Sequence, residues 1–251
     1  MSSIAIACLA LVCCFGAALV GLFIRLPPHH LDSDSKDTVR LVMGLIATKS
    51  ALVLGLLISS ANSTYDTQAS ELRQMSADLA QLDRMLVLYG PETQDVRGLV
   101  RQAVTAAHER VWPSDGSHPP NLDPSAGRAL TDTLYSKLQD LVPKTAGQTR
   151  ALDNIWELSA SLTKMRILMY EQLNASVSWP LLMVLIFWVS VLFLGFGLFS
   201  RFHATLIVAL LVGAISLSGA IFLILELNHP YSGMIRLSDA PLRAAMASMQ
   251  R

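Results

Sequence analysis

Charge is scarce in this chain. Lys and Arg number 19, Asp and Glu number 19, and only 15% of the 251 residues are charged, against ~25% in an ordinary soluble domain. The two signs cancel, so no long-range field draws nucleic acid, and none is expected as a partner. Cysteine is nearly missing as well. Cys8, Cys13 and Cys14 all fall in the first apolar run, which excludes disulfides and cysteine-based metal sites from everything after it. These three thiols read as small apolar packers in lipid. No Walker loop, dinucleotide fingerprint, nucleophile elbow or HExxH occurs. His108 and Glu109 are adjacent, so on a helix their side chains diverge by about 100° and cannot form a dyad. His29 and His30 follow Pro27 and Pro28 and read as solvated turn residues. Asn62-Ser63-Thr64 and Asn174-Ala175-Ser176 are chance-level glycosylation matches. Neither enzyme chemistry, a cofactor nor a metal centre is expected. Strand-like alternation and tandem repeats are also lacking.

What the chain has is apolar length. Hydrophobic residues make up 52% of it, and four windows reach the ~20 residues that cross a bilayer: 4–24, 41–61, 181–199 and 204–225. The first could be a signal peptide. It has no Lys or Arg before it, exceeds the usual ~7–15 residue apolar core, and runs into Arg25-Leu26-Pro27-Pro28 rather than a small-x-small cleavage site. A retained span is therefore expected. The implied fold class is an all-α membrane protein, with four transmembrane helices and a helical cytosolic domain inserted between spans two and three. Residues 1–62 hold spans one and two, 63–178 the cytosolic domain, 179–227 spans three and four, and 228–251 a cytosolic C-terminal tail. Four spans put both termini and the domain on one side. Arg73, Lys164, Arg166, Arg236 and Arg243 flank that side, against Arg25, Lys36, Arg40 and Arg201 on the other. The excess favours a cytoplasmic domain. Trp179 and Pro180 open span three at the depth where an indole suits the interface.

Proline is absent from residues 40–89, and glycine appears there only at Gly44 and Gly55. One continuous helix is expected, about 75 Å long at ~1.5 Å per residue. Along its membrane part Gly44, Thr48, Ala51, Gly55, Ser59, Asn62 and Asp66 recur in steps of 3 and 4, which keeps them on one face. Small and polar groups confined to one face of an apolar helix meet another helix or water. Beyond the membrane part Leu72, Met75, Leu79, Leu82 and Leu86 repeat at 3-4 spacing on the opposite face, the seam of a bundle helix. Ser70, Arg73, Ala77, Ala80 and Arg84 continue the first stripe. Tyr89-Gly90-Pro91 ends the helix, since proline cannot extend it and Gly90 accepts a left-handed cap.

The rest of the domain reads as three helices: about 91–111 with Val96, Leu99, Val100, Ala103, Val104 and Ala107 on its apolar side, 127–141 with Leu130, Leu134, Leu138 and Leu141, and 145–177 with Leu152, Ile155, Leu162, Met169 and Leu173. Residues 112–126 are a Pro-, Ser- and Gly-rich loop. Lys49 is the one clearly intramembrane charge, about 12 Å into span two. It demands a reason, and its long stem can snorkel outward. Glu226 and His229 stand together at the end of span four, where the plain alternative is that Glu226 caps its own turn.

"LVLGLLISSANSTYDTQ" (52–68), "LDRMLVLYGPE" (82–92) and "ILELNHPYSGMIRLSDAPLR" (224–243) together resemble the bacterial bestrophin-like family, over nearly the whole chain. The last departs from the family's usual "LELDRPFSG" at Asn228 and His229. The resemblance implies bestrophin architecture: four spans per subunit, a helical cytosolic block, five copies, a pore lined by the second span, and residence in the bacterial inner membrane. The phenylalanine-rich neck of bestrophins is replaced here by Leu52, Gly55 and Ser59.

Two functions follow. One is a homo-oligomeric ion channel, pentameric or tetrameric, in which the Gly44–Asp66 stripe lines the pore and Lys49, Arg73 and Glu226 act as charge sites. Permeant ions and the bilayer are then its partners. A carboxylate ring at Asp66 makes such a pore weakly cation-preferring or poorly selective. The other is a membrane-anchored scaffold or sensor without conductance, whose helical domain binds a partner. Gly44, Ala51 and Gly55 then serve as a helix-packing seam.

Overall fold

The computed structural model describes the chain except for residue 1, 25–32, 114–120, 122, 124, 126, 175–178, 201, 232 and 251, together with the side chains of 33–35 and 173–174. His29, His30, Arg25, Arg201 and the side chain of Leu173 thus lie outside the described residues. The chain is all-helical, 85% helix, with no strand among the described residues. Its helices are α1 (Ser3–Phe23), α2 (Ser33–Tyr89), α3 (Gln94–Val111), α4 (Arg128–Gln139), α5 (Ala146–Asn174), α6 (Trp179–Leu198), α7 (Ala204–Leu227) and α8 (Ala240–Met249). Four of them, α1, α2, α6 and α7, are long and apolar enough to cross a membrane.

The chain divides into two compact units, Met1–Thr64 with Ser176–Asn228, and Tyr65–Ala175 with His229–Arg251. In the first, α1 packs against both α6 and α7. The α1–α6 contact is built on missing side chains. A Cβ on Gly197 would collide with the carbonyl of Ala18 and approach Leu22 N to 3.0 Å, and one on Gly21 would collide with the carbonyl of Leu194. Close backbone approach of this kind supplies the dispersion contact that holds helices together where no hydrophobic effect operates. The Ser218 hydroxyl donates to the Ala7 carbonyl at 2.6 Å, tying α7 to α1. Cys14 is buried and faces Ser190 across 3.7 Å, a packer as expected, whereas Cys8 and Cys13 are exposed. Met43 of α2 lies over Gly195 of α6.

The expected unbroken helix over 40–89 is present in α2, and it starts earlier, at Ser33. An exposed Asp37–Arg40 pair, 3.4 Å apart, lies on this added stretch. One face of α2 is buried from Ser50 onward, through Ser50, Leu57, Ala61, Gln68, Leu72, Leu79, Leu82 and Leu86. Gly90 does end the helix, but at φ 130° and ψ −173°. That is a region reserved for glycine rather than the left-handed cap expected from sequence. Thr93 completes the stop: its buried hydroxyl lies 2.6 Å from the Leu86 carbonyl and 2.8 Å from that of Gly90.

In the second unit the leucine seam of α2 meets Val96, Val100 and Val104 of α3, Leu138 of α4 and Ile155 of α5 in one core. Two charge-assisted bonds join α2 to α3: Arg97 Nε and Nη2 donate to Asp83 at 2.8 and 2.9 Å. This carboxylate holds the Arg97 guanidinium above its ordinary pKa. Asp78 accepts from Ser161 of α5 at 3.1 Å, and Glu71 accepts from Gln172 at 2.8 Å. Thr145 and Gln148 satisfy donors at the start of α5. Thr145 Oγ1 accepts from Gln148 N at 3.2 Å, and Gln148 reaches back to Lys144 N at 2.8 Å. The region read from sequence as a tail contains α8, whose Leu242 and Met249 are buried in this same core.

Candidate functional site

Every member of the sequence-derived stripe is exposed: Gly44, Thr48, Ala51, Gly55, Ser59, Asn62 and Asp66. A Cβ built on Gly44 or Gly55 would meet nothing within 4 Å. Within the chain's own fold the stripe is therefore not a packing seam. The Thr48 hydroxyl donates to the Gly44 carbonyl at 3.0 Å, one turn back on its own helix, so it presents its oxygen rather than an unmet proton. The face buried by α2 lies about 140° round the helix from this stripe. The spans differ in how far the protomer covers them: 39% of the α6 window is buried, but 11% of the α2 window. α2 is the span with the most surface left over.

Lys49 is exposed and shares its flank with Leu45 and Leu56, themselves 56% and 62% exposed. That flank is adjacent to the stripe and lies outside it, in keeping with a snorkelling lysine. Arg73 is exposed, and its Nε donates to the Ala69 carbonyl at 3.1 Å. Glu226 is different: it is 4% exposed, within the buried end of α7. Asn228 Nδ2 donates to the Ile224 carbonyl at 2.7 Å at the end of the same helix. The seven stripe residues therefore share one exposed face, and Lys49, Arg73 and Glu226 have separate surroundings.

A polar cluster that sequence reasoning missed lies in the second unit. His108 Nε2 sits 2.8 Å from Asp239 Oδ2, and Arg243 holds the other carboxylate oxygen at 2.9 Å. Trp112 stacks on His108 with centroids 5.7 Å apart and donates its indole N–H to the Leu237 carbonyl at 3.1 Å. Tyr231 meets the same indole edge-on at 5.7 Å. The histidine thus pins the C-terminal segment to the end of α3. Its partner lies 131 residues away, and no local spacing signals such a pair. Among the described residues no group of His, Cys, Asp and Glu is arranged to hold a metal ion.

Four helices long and apolar enough to cross a membrane, with a helical second unit, define an all-helical membrane protein. More narrowly, the chain belongs to the Bestrophin-like family: the model of the Bestrophin-like domain matches residues 10–242. Comparison with curated proteins and with solved structures gives no match.

Proposed function

We propose that this protein is a homo-oligomeric ion channel of bestrophin-like architecture, its pore lined by the Gly44–Asp66 face of α2. The observation that carries this reading is the exposure of that whole face, with open space over Gly44 and Gly55, on the span its own protomer covers least. In a lone protomer the polar side chains of this face would lie against hydrocarbon, where exposed polar groups are rare. Several copies around an axis, five or four, turn the same groups toward water. In this arrangement residues 63–178 and both termini are cytoplasmic, and the membrane is the bacterial inner membrane.

Selectivity follows from the charges on and off the stripe. Asp66 lies on it, and Lys49 lies on the flank that would meet lipid. A ring of Asp66 carboxylates at the inner mouth attracts cations, because low-dielectric walls focus its field. The pore is therefore weakly cation-preferring or poorly selective, with Thr48, Ser59 and Asn62 substituting for hydration contacts. Purified protein in planar bilayers under a salt gradient tests this. Asp66→Asn is expected to move the reversal potential toward anions, and Ser70→Ala to leave it near the parent value. Indifference to Asp66→Asn combined with loss of selectivity in Lys49→Met would establish an anion pathway instead.

The scaffold reading keeps one specific support: Gly44, Ala51 and Gly55 have the small-xxx-small spacing of a seam between helices of different copies. Absence of conductance at every voltage, pH and divalent concentration would favour it.

A further inference from the structure

The C-terminal segment is fastened to the end of α3 by side chains. His108 stands in the last turn of α3, and Asp239 occupies the N-cap of α8. The Asp239 carboxylate makes no bond to the amides of its own helix. One of its oxygens lies 2.8 Å from His108 Nε2, and the other receives Arg243 at 2.9 Å. The His108 and Asp239 side chains are only 18% and 20% exposed. Behind the imidazole stacks Trp112, whose indole holds the Leu237 carbonyl. This fastening has reach. Tyr231 and Leu237 are buried with Leu72 of α2 and Met169 of α5, and Leu242 and Met249 with Leu79, Leu82 and Leu86 of α2. The segment is thus part of the packing around the second half of α2.

Histidine is the side chain type whose charge changes between pH 5 and 8. With the imidazole charged, the contact joins a cation at the negative end of α3 to an anion at the positive end of α8. With the imidazole neutral, an Nε2–H still donates to the carboxylate, but the attraction between opposite charges is lost. No neighbouring charge replaces it. Arg243 binds the carboxylate within α8, so it ties nothing to α3, and its own positive charge limits the gain. Arg236 turns its Nε to the Gly233 carbonyl at 3.0 Å. On α3 itself Arg101 lies two turns back, and Glu109 is exposed at the next position. Among the described residues no ionisable side chain of α2, α4 or α5 bonds the imidazole. α2 contributes only Leu72 and Met75 to the cluster that holds Trp112.

We propose that His108 and Asp239 form a proton-operated clasp on the C-terminal segment. With the imidazole charged, α3 grips Asp239 and the segment packs firmly against α2. With it neutral, the grip weakens and residues 237–249 open more often. The device is confined to the helical unit and stands independently of any conducting path through α2.

Amide hydrogen exchange on the full-length protein, in nanodiscs of zwitterionic lipid, tests the clasp. Rates are taken at the two ends of the histidine range, about pH 5 and about pH 8, and divided by the intrinsic amide rates at each pH. Protection of residues 237–249 is expected to fall on the order of tenfold between them, as the ion pair and its dipole contribution are lost. Amides around Ile155, at the centre of the same core, should keep theirs. His108→Gln retains a donor that does not titrate, so its protection should be nearly equal at both pH values. Equal protection of the parent segment at both pH values would overturn the proposal, and so would an equal fall around Ile155. An undiminished pH dependence in folded His108→Gln would assign the effect to another group, such as His229, and overturn it too. The first two comparisons are made on the parent protein, so they decide even where the variant fails to fold.

Discussion

Asp83 is 7% exposed and accepts two bonds from Arg97 at 2.8 and 2.9 Å. Removing one partner of such a pair strands the other charge in a poorly solvated place, which costs more than the pair contributes net. Asp83→Ala should therefore lower stability by about 3 kcal/mol, read as a fall in thermal midpoint of the solubilised protein. An Asp83→Leu, Arg97→Met double variant should recover most of the loss. A single variant melting at the parent temperature would refute this view of the α2–α3 junction. Asp66 and Lys49 illustrate the same local logic applied to function. Both are ionisable residues on α2, yet one lies on the small polar face and the other among exposed leucines. Their predicted effects on selectivity differ for that reason alone.

Among elements, glycine position separates packing from permissiveness. At Gly197 an added side chain meets the α1 backbone, which cannot yield as a flexible side chain does, whereas at Gly16 it meets nothing within 4 Å. Gly197→Ala should destabilise the four-span unit by about 1–3 kcal/mol, the usual cost of overpacking. Gly16→Ala should be neutral or slightly stabilising, since alanine is the better helix former. Thermal aggregation of the two purified variants checks the contrast, and equal behaviour would contradict it.

Elements also show what the sequence discloses and what it hides. The long α2, its leucine seam and its small polar stripe are visible as 3-4 spacing, because a helix translates sequence period directly into a face. Exposure of the stripe within the protomer is not visible, since it depends on which neighbours α1, α6 and α7 choose. The ten-residue α8 was hidden by its shortness, although Leu242, Ala245 and Met249 stand 3 and 4 apart. The His108–Asp239 pair joins elements far apart in the chain. It leaves no local signature, and only the folded unit brings its members together.

For the whole molecule, the uncovered α2 face calls for other copies of the chain. A subunit of 27.3 kDa should therefore travel in mild detergent as a complex of four or five, measured by light scattering with the detergent mass subtracted. A stable monomer would remove the basis for a shared central path, because the exposed polar face of α2 would then lie against hydrocarbon rather than water. The scaffold reading also accommodates an oligomer, so mass alone does not separate a wet stripe from a dry seam.

Thiol modification of the conducting protein does separate them. Gly55 and Leu56 are both exposed, at nearly the same depth, and point about 100° apart. In a background with Cys8, Cys13 and Cys14 changed to alanine, Gly55→Cys and Leu56→Cys are each reconstituted in planar bilayers and exposed to a charged methanethiosulfonate reagent. Water along the stripe predicts rapid loss of current in Gly55→Cys and no change in Leu56→Cys. Equal insensitivity of the two, or block through Leu56→Cys alone, would contradict a pore lined by this face of α2.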